Sequence, residues 1–141
     1  MELWELSARE AIRELLAAYA RAADSGNAER FAALFAPDGV LEVHGLAPIE
    51  GRDAIRSFLS GGTGESPVRL RHHLTNVSIA VESPTTATGE CYFTVFTDAG
   101  VDHWGRYRDH YVGKAGEWKI AHRLARTEGR TPGGWADSRL S

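Results

Sequence analysis

The strongest constraint on folding lies in the second half of the chain. Four strand-like stretches run over about Arg69–Glu82, Thr86–Thr97, His103–Gly113 and Glu117–Thr127. Between them stand only Ser83-Pro84, Asp98-Ala99-Gly100 and Lys114-Ala115-Gly116, turn-forming segments too short for a crossover. Connections this short demand antiparallel neighbours. Ahead of this meander the sequence has a helical period. Ile12, Leu15, Leu16, Tyr19, Ala20 and Ala23 follow the spacing of one apolar helix face over Ser7–Ala23, and Ser7 with Glu10 reads as a capping box. Asp24-Ser25-Gly26 ends that helix. A shorter helix is expected from Asn27, burying Phe31, Leu34 and Phe35, and Pro37-Asp38-Gly39 signals a turn before a short strand over Val40–His44. A third helix is expected over Arg52–Leu59, stopped by Gly61-Gly62. The order predicts an α+β class, with the helices gathered on one side of a curved antiparallel sheet.

The 141 residues fit one domain, assigned to 1–128, followed by a polar tail over 129–141 whose one large apolar residue is Trp135. A formal net charge of −3 argues against a nucleic-acid partner, and no apolar run suggests a membrane partner. The acidic start MELWELSARE lacks the apolar core of a secretory signal, so a cytoplasmic location is expected. One cysteine, Cys91, excludes an internal disulfide and a cysteine zinc cage. No histidine spacing suits a metal, and no G-x-S-x-G, P-loop or G-x-G-x-x-G occurs. The remaining chemistry is acid–base work, or none.

Residue by residue, the alternatives stay balanced. His72 and His73 point to opposite faces of one strand, and hydropathy alone does not choose between them. Regular alternation groups His72 with Leu74, Asn76 and Ser78. Asp24 sits at the flank of the first helix's apolar stripe, where a solvated residue near a turn is the plainer reading. Tyr19 lies on that stripe, so packing is its default role. In Trp118-Lys119-Ile120-Ala121-His122-Arg123, alternation turns Arg123 away from the face that Trp118 and Ile120 bury, unless a bulge intervenes.

Taken in order, these segments resemble the nuclear transport factor 2-like superfamily and its SnoaL-like branch of small dehydratases, cyclases and isomerases. The resemblance is carried over about Leu6–Glu128 by Glu10–Leu16 leading to Asp24, by Phe31–Gly39 and by Glu50-Gly51-Arg52-Asp53-Ala54-Ile55. It continues in His72-His73-Leu74-Thr75-Asn76, Gly105–Asp109 and Gly116–Arg123. It implies a cone-shaped sheet wrapped around the long helix and enclosing a pocket, and an Asp–His dyad made of Asp24 and His72. It also implies supporting roles for Tyr19 and Arg123. The implied activity is a cofactor-independent lyase, a dehydratase of a hydrophobic hydroxylated small molecule. Isomerase, polyketide cyclase, non-catalytic binding module and enzyme small subunit are the alternatives. Phe93, Trp104, Tyr107 and His110 are expected to line the pocket, with Trp135 capping its mouth. A homodimer or homotrimer is expected.

Overall fold

The computed structural model describes residues 1–63 and 69–139, so Leu140 and Ser141 of the tail lie outside the described residues. Helix α1 (Leu3–Ser25) is followed by α2 (Ala28–Ala33), β1 (Phe35–Val43), β2 (Ile49–Glu50), α3 (Arg52–Thr63), β3 (Arg71–Ser83), β4 (Thr86–Thr97), β5 (Gly100–Lys114) and β6 (Glu117–Arg130). The strands form one curved, unclosed sheet in the order β2-β1-β6-β5-β4-β3. Strands β3 to β6 make the expected antiparallel meander, and β1 joins β6 in parallel.

Helix α1 lies against the inner face, where Ala8, Ile12, Leu15, Leu16 and Tyr19 are buried. It starts four residues before Ser7, which therefore lies inside the helix. The cap position is Glu2, and it makes no side-chain cap. Gly26 takes a left-handed conformation (φ 68°) and closes the C-terminus. Asn27 caps α2 by accepting from the Arg30 amide at 3.1 Å. Helix α3 runs on through Gly61-Gly62 to Thr63 because Ile55 and Leu59 hold its apolar face in the core. The Pro37-Asp38-Gly39 turn is absorbed into β1 as an irregularity between Phe35 and Val40.

Of the five further register shifts, three decide how the candidate site residues face. In β3 one extra residue lies between Thr75 and Ser78, at Asn76 with φ 53°. In β5, Val95 pairs with His103 while Phe96 pairs with Val101, which leaves Asp102 as the extra residue. In β6, His110 pairs with His122 while Tyr111 pairs with Ile120, which leaves Ala121 extra. Each extra residue reverses the alternation that follows it. Val77 and Ile79 thus join His72 on the inner side instead of Asn76 and Ser78. Arg123 joins Trp118 and Ile120, and His122 turns outward, the reverse of a regular strand.

Candidate functional site

Asp24 and His72 come together across 48 residues of sequence. Strand β3 is the edge of the sheet, and the last turn of α1 docks against it. An edge strand leaves amides without partners. Asp24 meets one of these, accepting the His72 amide at 3.0 and 3.2 Å through its two oxygens. The same carboxylate lies 2.7 Å from His72 Nδ1. Both side chains keep a small exposed surface, 17% for His72 and 13% for Asp24. An ionised Asp24 fixes the proton on Nδ1 and leaves the Nε2 lone pair free. His73 lies on the outer face, against Phe96 at 4.6 Å.

Deeper in the fold, Arg123 is completely buried and is clamped by Asp109 through two parallel hydrogen bonds of 2.8 and 2.9 Å. Its guanidinium lies 4.1 Å from the ring centroids of both Tyr19 and Tyr107. The Ala121 bulge is the physical reason it faces inward. Burial favours the neutral guanidine, but Asp109 more than offsets this and holds Arg123 charged. Burial also raises the Tyr19 hydroxyl above its ordinary range, against the pull of Arg123, so Tyr19 stays protonated. Arg123 Nη1 has no hydrogen-bond partner among the described residues.

An aromatic ladder climbs from this floor. Tyr19 meets Tyr107 edge-on at 5.8 Å, Tyr107 stacks on Phe93 at 4.8 Å, and Phe93 meets His103 edge-on at 6.1 Å. His103 in turn stacks on Trp135 of the tail at 5.9 Å. Gly105 makes room for this, because a Cβ there would fall 2.8 Å from the Phe93 ring. Phe93, Tyr107 and Trp135 thus stand together. Trp104 and His110 do not. Each lies three residues from Tyr107 along β5, and a three-residue step on an unbroken strand changes face. Trp104 is 40% exposed and lies over Gly129 on the outer side, and His110 contacts the His122 ring there at 6.3 Å.

The sequence reading missed Asp102 and His103. His103 Nδ1 lies 2.8 Å from Asp102 Oδ2, and both side chains are almost fully buried. Asp102 also accepts the amides of Trp135 at 2.6 Å and Ala136 at 3.0 Å, which anchors the tail. Alternation assigns adjacent residues to opposite faces, so only the bulge brings both inward. Burial holds His103 below its ordinary value, with Asp102 opposing and His72 reinforcing that shift. Burial alone would raise the Asp102 carboxyl, yet hydrogen bonds from His103, Ala136 and Trp135 leave it lowered. The ring is therefore neutral and the carboxylate charged near pH 7. Cys91 is buried and its thiol is pushed up to about 11, chiefly by burial, so it is no nucleophile.

At the other end of the molecule, Leu3, Trp4, Ser7, Ala8, Pro84, Gly116 and Trp118 line an apolar groove of about 530 Å³. It holds no acid or base. Among the described residues no cluster of three or more His, Cys, Asp or Glu side chains is placed to hold a metal. No helix among them is long and apolar enough to cross a membrane.

A long helix against one curved mixed sheet, with a histidine–carboxylate pair joining the helix end to the sheet edge, defines a nuclear transport factor 2-like protein. The pattern of the SnoaL-like domain matches residues 4–124, and the chain belongs to that family. It is 30% identical over 128 residues, 85% of each chain, to the uncharacterized protein Rv2910c of Mycobacterium tuberculosis (strain ATCC 25618 / H37Rv). Among solved structures it is similar to a candidate scytalone dehydratase of Novosphingobium aromaticivorans DSM 12444. There the TM-score is 0.83 and the identity 27%, over 93% of this chain and 91% of that one. It has the fold of the hexachlorocyclohexane dehydrochlorinase LinA-type3 of Novosphingobium barchaimii LL02, with a TM-score of 0.81 at 20% identity over 94% of both chains.

Proposed function

We propose that the protein is a cofactor-independent lyase, a dehydratase in which the Asp24–His72 pair removes a proton from a mainly apolar hydroxylated carbonyl compound. The observation that carries this reading is the 2.7 Å contact between Asp24 Oδ1 and His72 Nδ1 with Nε2 left open. The dehydratase and dehydrochlorinase among the similar structures support it. In the proposed reaction His72 Nε2 takes the proton alpha to the carbonyl, and Asp24 stabilises the resulting imidazolium. The electron pair of the broken C–H bond forms the C=C bond as the C–O bond breaks. The departing hydroxide takes the proton back from His72 and leaves as water, so no oxidant or reductant is needed.

In this reading Tyr19, neutral at working pH, orients the leaving hydroxyl from the floor of the site. Arg123 keeps Tyr19 in place and, through its free Nη1, steadies negative charge developing on the carbonyl side. Phe93 and Tyr107 supply apolar wall, and residues 131–139 of the tail cover the mouth with Trp135. Isomerisation or cyclisation would use the same first step. Self-association as a homodimer or homotrimer is proposed through the outer sheet face, where Tyr92, Trp104 and Val112 are exposed. Light scattering on wild type and on Trp104→Glu tests that. The reaction itself is tested by offering beta-hydroxy ketones in heavy water and following both loss of water and alpha-deuteration. Deuteration without elimination would point to an isomerase or cyclase. Neither signal with any ketone, or signals that survive His72→Ala, would overturn the reading.

A further inference from the structure

The inner face carries a second imidazole–carboxylate pair. His72, Val95 and His103 are cross-strand neighbours in one row of β3, β4 and β5. Two strand spacings separate the two histidines, roughly 10 Å between their Cα atoms. Each ring has Nδ1 on a carboxylate, and neither Nε2 has a hydrogen-bond partner among the described residues. The His103 side chain keeps 10% of its surface exposed, so the ring is not sealed off. The Asp102 bulge builds this pair, and the tail fixes it from behind through the Trp135 and Ala136 amides. Phe93 and Trp135 hold the ring plane from two directions.

We propose that His103 Nε2 is a substrate-binding acceptor that takes a hydrogen bond from a hydroxyl remote from the carbon His72 attacks, and so sets substrate specificity. The geometry leaves few other uses for it. With Nδ1–H donated to an ionised Asp102, the ring offers a lone pair and no proton, so it receives donors and rejects bare carbonyls and ethers. Burial keeps the ring neutral, which preserves that preference. Phe93 beside it supplies an apolar surface. The ligand class is a largely apolar skeleton with a phenolic or alcoholic hydroxyl set apart from its activated C–H. The proposal deepens the dehydratase reading and rests on it for the word substrate, but binding of the hydroxyl is separable from catalysis.

The test uses phenol and toluene as a matched pair and reads the imidazole ¹⁵N resonances of the whole protein. Phenol is expected to shift His103 Nε2 in the direction of an accepted hydrogen bond, and toluene is expected to leave it alone. One such bond corresponds to a roughly fivefold preference for phenol over toluene, which His103→Phe should remove while toluene affinity stays unchanged. The wild-type spectrum answers the question even if the variant folds badly. A His103 Nε2 resonance that ignores phenol up to its solubility limit overturns the proposal, as does a preference that survives in His103→Phe. His72→Gln should keep the phenol response. Loss of alpha-deuteration with that response intact would therefore count against His72 as base, not against His103 as acceptor.

Discussion

Two histidines on one wall are each held through Nδ1 by an aspartate, yet the pairs are built in opposite ways. Asp24 and His72 meet across 48 residues and two elements, at an edge where helix end and strand amide need each other. Asp102 and His103 are adjacent, and meet only because a bulge turns both inward. The first pair keeps more of its surface exposed; the second is almost closed off and braced by the tail. The contrast teaches that a carboxylate beside an imidazole fixes the tautomer in either case, while exposure decides what the free nitrogen can do. An open Nε2 can take a proton and return it, whereas an enclosed one is better suited to hold a partner still.

The largest expected difference is kinetic. His72→Ala should lower alpha-proton exchange by about 10²–10⁴-fold, the usual worth of a positioned general base, measured by deuterium incorporation. His103→Phe should raise KM for a hydroxylated substrate by about fivefold with kcat nearly unchanged. Equal losses of kcat in the two variants would erase the distinction. Stability should rank the pairs the other way. Asp102→Asn sets an amide donor against backbone donors that now face a charged acceptor, and should cost about 1.5–3 kcal/mol in urea unfolding. Asp24→Asn, at a more open site, should cost less. If Asp24→Asn proves the more damaging, Asp24 is chiefly an edge cap.

A smaller effect separates them by pH. Burial lowers His103 in the folded state, so the unfolded chain binds that proton more readily. His103 therefore costs no stability above its unfolded value of about 6.5 and an increasing amount as pH falls below it. His103→Phe should flatten the loss of stability between pH 7 and 5, measured by urea midpoints. The Asp102 contribution is full above about pH 4 and is lost only as pH falls further, so it does not enter that window. The smallest expected change is for Trp135→Leu. It removes the stacked ring but keeps the amide to Asp102, and should move the His103 ring resonances while leaving alpha-exchange within about twofold.

How much of this was legible follows from periodicity. The meander and the long helix are local signals, and each is found where its residues lie. Asp24 with His72 was reachable only through family resemblance, since neither residue is distinctive alone. What failed was alternation. It put Asn76 beside His72, turned Arg123 outward and passed over Asp102-His103, and in each case a single extra residue had shifted the pleat. No residue type marks those positions. Among the described residues, Asn76 and Ala115 are the only non-glycine residues with positive φ, and of the bulges at Asn76, Asp102 and Ala121 only the first carries that sign. Trp104 and His110 had a different cause, because their three-residue spacing from Tyr107 already excluded a shared face.

The bulges also change how gaps between related sequences should be weighed. A single-residue deletion in a surface turn alters a connection and little else. Deleting the extra residue at Asp102 or Ala121 would restore regular alternation and leave His103 and Arg123 facing inward, whereas the same deletion in an unbroken stretch of strand would re-face the residues beyond it. In a lineage of such proteins, a one-residue gap at these bulges would leave the strand's facing intact, and a gap in an unbroken stretch would be the one that marks a change of chemistry.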